Sequence, residues 1–144
     1  MDEGRLAQIE DLLIATLKED IPGVFVETRS TSLSEENLKN VLTLAPCILI
    51  EYNGGNPVAE LNSGSLGTRV TFNLFVGAKS LRSRKEAQRG SYGMLSQIRA
   101  SLDGMEISDA GVVAGPFSWE GEAIFLETNE GTIYQAVYSL TEKA

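Results

Sequence analysis

The sequence contains no histidine. That removes the commonest general base and the commonest metal ligand together, so Ser-His-Asp triads, Cys-His pairs and histidine-based zinc sites are all excluded. There is one cysteine, Cys47, so no internal disulfide can form. It sits in the apolar run Cys47-Ile48-Leu49-Ile50 and reads as a buried, inert thiol, since free cysteine behaves as a small hydrophobe. No apolar run approaches the roughly 20 residues a membrane-spanning helix needs. The start, Met1-Asp2-Glu3-Gly4-Arg5, has neither the basic segment nor the apolar run of a signal peptide, so the expected location is the cytoplasm of the cell that makes the chain. Phosphate-loop signatures are also missing. The glycines from Gly54 to Gly67 lack a Gly-Lys-Ser/Thr ending and a spaced G-x-G-x-x-G, and they lead into a strand pattern.

What is present is an ordinary globular balance: 42% hydrophobic and 22% charged residues over 144 positions. This is enough to bury a core, and it reads as a single domain over 1–144. The net charge of -8 repels nucleic acid and anionic membrane on average, so no membrane and no sequence-specific nucleic acid is an expected partner. The charge is uneven. Lys79, Arg82, Arg84, Lys85 and Arg89 place five of the twelve basic residues in one window of eleven, opposed there only by Glu86. The window reads either as a solvated helix end or as a docking patch, with Arg82, Arg84, Lys85 and Arg89 as the candidate interface residues. A basic spot on an acidic body suits head-to-tail docking between copies.

The stretch from Gly67 to Gly104 organises the chain. Val70, Phe72, Leu74 and Val76 alternate with Arg69, Thr71 and Asn73, the period of a half-buried strand, with Phe75 as an apolar intruder on the second face. Beyond the basic connector, Tyr92, Leu95, Ile98 and Leu102 recur at helical spacing, and Gly104 marks the stop. The helix has about five turns if it starts in the basic window. A start near Ser91 instead leaves 79–90 as loop.

Before this unit, residues 5–19 show a helical stripe of Leu6, Ile9, Leu13 and Leu17, ended by Pro22-Gly23. Val24 to Glu27 reads as a short strand. Ser32-Leu33-Ser34-Glu35 fits a capping box for a second helix with Leu38, Val41 and Leu42 on its apolar face, broken at Pro46. Cys47 to Tyr52 is a central-strand candidate. Residues 53–66 read as an exposed loop or a flexible hairpin arm, with a turn at Asn53-Gly54-Gly55-Asn56-Pro57 and a brief strand at Val58 to Leu61. The last third reads as a three-strand meander: Val112 to Gly115, then Ala123 to Thr128, then Thr132 to Leu140, with Glu120-Gly121 as a turn. The fold class is therefore α+β, a mixed and mostly antiparallel sheet with helices packed on one face.

An enzyme without histidine would need carboxylates, lysine, tyrosine or serine alone. Asp103, Glu106 and Asp109 are scattered about the helix end and the following loop, and no paired-acid or calcium-loop pattern is visible. No catalytic residue, metal or cofactor is expected.

The chain resembles the Mu-like bacteriophage and prophage tail proteins encoded just before the contractile tail sheath. The resemblance rests on Ile50-Glu51-Tyr52-Asn53-Gly54-Gly55, the strand Val70 to Val76, the run Arg84 to Leu102 with Tyr92 and Leu95, and the close with Tyr134, Ala136 and Tyr138. It implies a phage tail-terminator-like α+β fold and a non-enzymatic tail terminator or completion protein. Such a protein forms a ring, typically a hexamer, at the head-proximal end of the tail and stops tube and sheath polymerisation. The implied partners are further copies of itself, the tail tube and sheath proteins and the head connector. The implied location is the virion tail, reached from the host cytoplasm. A head-tail joining adaptor of the neck is the rival expectation, and a carboxylate-based enzyme a distant one.

Overall fold

The computed structural model describes residues 3–28, 40–59, 66–79 and 84–142. Helix α1 spans Glu3–Asp20, strand β1 Phe25–Thr28, β2 Cys47–Ala59, β3 Leu66–Lys79 and helix α2 Arg84–Leu102. Strands β4 Ile107–Asp109, β5 Val112–Ala114, β6 Ser118–Glu127 and β7 Gly131–Glu142 follow. Residues 40–42 are also helical. Five strands form one sheet in the order β1-β2-β3-β7-β6, and β4 pairs with β5 in a separate two-stranded sheet. Among these strands β1 and β2 run parallel and the other pairs are antiparallel. The α+β class with a mixed, mostly antiparallel sheet is what the sequence implied.

The period-two pattern in β3 sets the main core. Val70, Phe72, Leu74, Val76 and Ala78 are buried on one face. Ile9, Leu12, Leu13 and Leu17 of α1 and Met94, Leu95, Ile98 and Leu102 of α2 pack on that face, with Tyr134, Ala136, Tyr138 and Leu140 of β7. Both long helices therefore lie on one side. The opposite side has its own smaller cluster: Cys47, Leu49, Phe75 and Ile133, covered by Val41 and Leu42. Phe75, the apolar intruder of the alternation, is buried there and meets Phe125 edge-on at 5.1 Å. The helical residues 41 and 42 thus cover the face that α1 and α2 leave bare.

Several local expectations change. Of the loop and hairpin-arm alternatives for 53–66, the described part 53–59 is a hairpin arm, with β2 continuing to Ala59 and pairing with β3 down to Ala59↔Leu66. Strand replaces the turn expected at Asn53 to Pro57, and residues 60–65 lie outside the described residues. Gly54, at φ +105, accommodates a register shift between Tyr52 and Gly55, so the glycine signal marks a bulge. Pro57 is tolerated because β1 pairs only with residues 47–50, leaving the far edge of β2 open beyond them. Gly121, at φ +133, likewise serves a bulge inside β6, where a turn was expected. The meander is a single hairpin, β6–β7; Val112–Ala114 pairs back onto β4. In α2 the buried stripe includes Met94, while Tyr92 is 51% exposed. The helix does start in the basic window, and Gly104, at φ +74, ends it. The capping-box residues 32–35 lie outside the described residues.

Gly131 opens β7 opposite Lys79. A Cβ there would lie 2.4 Å from the Ala78 carbonyl oxygen and 2.9 Å from Leu42 Cδ2. Gly131→Ala must open either the β3–β7 ladder or the lid of the smaller core. It is expected to lower stability by roughly 2–3 kcal/mol, in line with overpacking of a filled site. Urea unfolding monitored by circular dichroism measures this, and an unchanged midpoint would contradict the close approach.

Candidate assembly surfaces

Burial raises the proton affinity of three core side chains, Cys47, Tyr134 and Tyr138. Burial pushes the Cys47 thiol up to about 11, against a small opposing pull from the Gly77 backbone. It is therefore protonated near neutral pH and is no thiolate nucleophile. Burial, reinforced by a hydrogen bond with Tyr92, pushes the Tyr134 phenol up to about 12. Burial also drives the Tyr138 phenol above its ordinary range, with the charge of Arg99 pulling the other way. Among the described residues, no group of three or more Cys, Asp and Glu side chains is placed to hold a metal ion. Among them, too, no helix is long and apolar enough to cross a membrane.

What the fold presents is surface. At one end of the sheet β3 finishes at exposed Lys79 and α2 begins at Arg84. Arg84, Lys85 and Arg89 fall in the first two turns of α2. Arg82 lies outside the described residues. Next to this basic segment is an open cleft of about 570 Å³. Pro22, Gly23 and Val24, just past α1, form one wall; Ala78, Gly90 and Met94 form another. Among the described residues of its lining, Lys79 is the one that carries charge.

The β4–β5 hairpin forms a separate two-stranded sheet, with its Val113 half held at the first turn of α1. Its inner residues Ile107 and Ala114 join the main core. Arg5 of α1 donates from Nη2 to the Val113 carbonyl at 2.7 Å and also pairs with Glu142 at the end of β7. Backbone bonds Gly104 N to Phe117 O, 2.7 Å, and Phe117 N to Met105 O, 3.0 Å, fix its base. The outer residues are exposed, among them Glu106, Asp109, Met105 and Val113.

A third surface runs along the edge strand β6. Arg99 of α2 pairs with Glu122 and lies over the Trp119 ring, with Cζ 3.8 Å from its centroid. Asp103 accepts from the Trp119 backbone N–H at 3.1 Å. Trp119, Ile124 and Phe125 all keep a third or more of their area exposed. The bulges after Trp119 and Ile124 twist this edge, a feature that discourages strand-to-strand pairing. Tyr92, expected in the core, instead stands on this side, edge-on to Tyr134 at 6.2 Å.

Of the sequence-based site residues, Arg84, Lys85 and Arg89 share one helix end. The hairpin, the cleft and the β6 aromatics were not foreseen as surfaces. The hairpin had one available signal: from Ala100 through Glu142 the sequence contains no lysine or arginine, so this last third of the chain is uniformly acidic.

No family model matches the chain, and no curated protein matches it. Among solved structures the chain is similar to one from a particle titled "Virion of native gene transfer agent (GTA) particle". The TM-score is 0.61 at 9% identity, and the match spans 99% of this chain and 100% of that one. At that identity the likeness establishes a shared fold, end to end.

Raised thiol and phenol values make a prediction about alkali. A group whose neutral form is favoured by folding stabilises the protein below its unfolded value and loses that contribution as pH rises through its folded value. For Cys47 the window runs from 9.0 to about 11. Stability is expected to fall across it by on the order of 2–3 kcal/mol from this residue, since a tenfold change in proton affinity corresponds to about 1.4 kcal/mol. Tyr134 and Tyr138 steepen the loss above pH 10. Urea midpoints at pH 8, 9, 10 and 11, for wild type and Cys47→Ala, measure it: the variant should show the shallower decline. Equal slopes would mean that Cys47 ionises freely.

Proposed function

We propose that the chain is a non-enzymatic structural subunit of a phage-like particle, acting as a tail terminator or completion protein that assembles as a ring, six copies in the implied form, at the head-proximal end of the tail. The observation that carries the reading is the end-to-end match, 99% of this chain against 100% of a chain from a gene transfer agent virion. A subunit matched over its full length fits a part whose job is its shape. The resemblance of Val70 to Val76 and Arg84 to Leu102 to proteins encoded beside the tail sheath supports the finer assignment to the tail. The protonated thiol and phenols and the lack of histidine fit a protein that works through contacts.

A ring needs a heterologous interface, with one patch meeting a different patch on the next copy. Opposed charge across such an interface fixes partner and register. In the sequence, the basic window 79–89 and the acidic last third of the chain are of opposite sign. The ring's partners are tube and sheath proteins on one side and the head connector on the other. A terminator stops tube growth by occupying the tube's last ring of binding sites without offering new ones.

Light scattering on the purified protein, alone and mixed with cognate tail tubes, tests the reading. The expected result is a closed ring, or a monomer that becomes a stoichiometric cap and halts tube growth. A protein that leaves tubes uncapped and growing, and binds portal or connector instead, would move the assignment to the neck adaptor.

A further inference from the structure

The cleft lies past the last turn of α1, whereas the Val113 half of the β4–β5 hairpin is held at its first turn. Arg5, in the first turn, holds Val113 of the hairpin, while Pro22 to Val24, just past the last turn, wall the cleft. From Arg5 to Asp20, the last residue of α1, the helix rises about 22 Å at 1.5 Å per residue. A hairpin so placed does not fill the cleft of its own chain but can reach that of a neighbour.

The two features are complementary in size, polarity and charge. The cleft, about 570 Å³, falls within the usual range for a binding cavity. Its walls carry small residues, Gly23, Ala45, Ala78 and Gly90, which let a backbone approach closely. Lys79 brings positive charge to its lining. The hairpin is narrow and acidic, with exposed Glu106 and Asp109 and an exposed apolar residue, Val113. Its tip is Ala110-Gly111, with both residues at positive φ, +51 and +82. A two-residue turn of this kind favours asparagine or glycine at the first position. Alanine there is strained, and such strain persists where something other than local stability selects the residue. Alanine keeps the tip small and apolar, as insertion between glycine and alanine walls requires.

Resting on the self-assembling subunit proposed above, we propose that the β4–β5 hairpin of one copy seats in the cleft between Gly23 and Gly90 of the next, with its acidic residues Asp109 and Glu106 against Lys79. The contact is heterologous, so repetition closes a ring or extends a chain. Each copy spends one hairpin and one cleft, and a closed ring leaves neither exposed.

The test uses two blocked variants and one cross-link. Asp109→Arg spoils the hairpin and leaves the cleft; Gly90→Trp fills the cleft and leaves the hairpin. Each alone is expected to fall to the monomer mass of 15.6 kDa. Mixed together they should form a dimer that grows no further, because one good hairpin meets one good cleft. This rescue by mixing cannot come from misfolded protein. Separately, Ala110→Cys combined with Gly90→Cys, oxidised with glutathione disulfide, should give a covalent ladder ending at the ring size. Either single cysteine variant should give none, since Cys47 is fully buried. Where the wild type forms rings only on tail tubes, the same readouts are taken on capped tubes. Rings of wild-type mass from both blocked variants, with no ladder, would overturn this interface and leave the ring reading standing. A wild type that forms no ring alone or on tubes would overturn both.

Discussion

The structure depends on the burial of β3 on both faces. One face carries Val70, Phe72, Leu74, Val76 and Ala78 into the main core, and the other carries Phe75 into the smaller one. Each fully buried side chain of this size contributes roughly 1.5–3 kcal/mol, so few elements have as much apolar surface to lose. The strand can keep that surface dry only with a neighbour on each side and a cover on each face. β2 and β7 supply the neighbours, α1 and α2 cover one face, and Val41 with Leu42 caps part of the other. The neighbours arrive by different routes. β2 is adjacent in sequence, whereas β7 must return across some fifty residues to pair over the length of β3, Thr68↔Glu142 to Lys79↔Gly131. Closing that long loop is the costlier step, so the β2–β3 hairpin is the cheaper nucleus.

This dependence explains what the sequence disclosed. Period two in Val70 to Val76 and the stripe of α1 are direct images of burial, and both were readable. The glycines were harder. Gly54 and Gly121 each mark a positive φ, which a turn and a bulge equally require, and only the pairing of the flanking residues separates them. Tyr92 and Met94 show the same limit in a helix. Spacings of three and four admit either beside Leu95, and the choice falls to the neighbouring strands, which leave room for Met94 and place Tyr92 against Tyr134. Val41 and Leu42 were readable as an apolar pair, yet nothing in their spacing says which face of a sheet they cover.

The candidate surfaces were less legible than the core. Burial leaves a periodic signature, and contact surfaces leave only composition. The basic window was visible as composition because five cations crowd eleven positions. The hairpin was not, because its acids are spread among those of an acidic chain, and its separation from the main sheet comes from pairing that Asp109↔Val112 and Ile107↔Ala114 make locally. The cleft has no sequence signature at all. It arises where the end of β3, the start of α2 and the exit of α1 meet without filling the space between them.

The Arg5–Glu142 pair has a consequence for the path of the chain as a whole. It brings the first turn of α1 to the final residues of the last strand, so the polypeptide closes nearly into a loop. A short linker could join residues near the two ends with little distortion, and the chain could then be reopened elsewhere, as circular permutation exploits. Labels placed near Arg5 and near Glu142 would leave the molecule from one place. In a ring, all such additions would lie at a single radius and height.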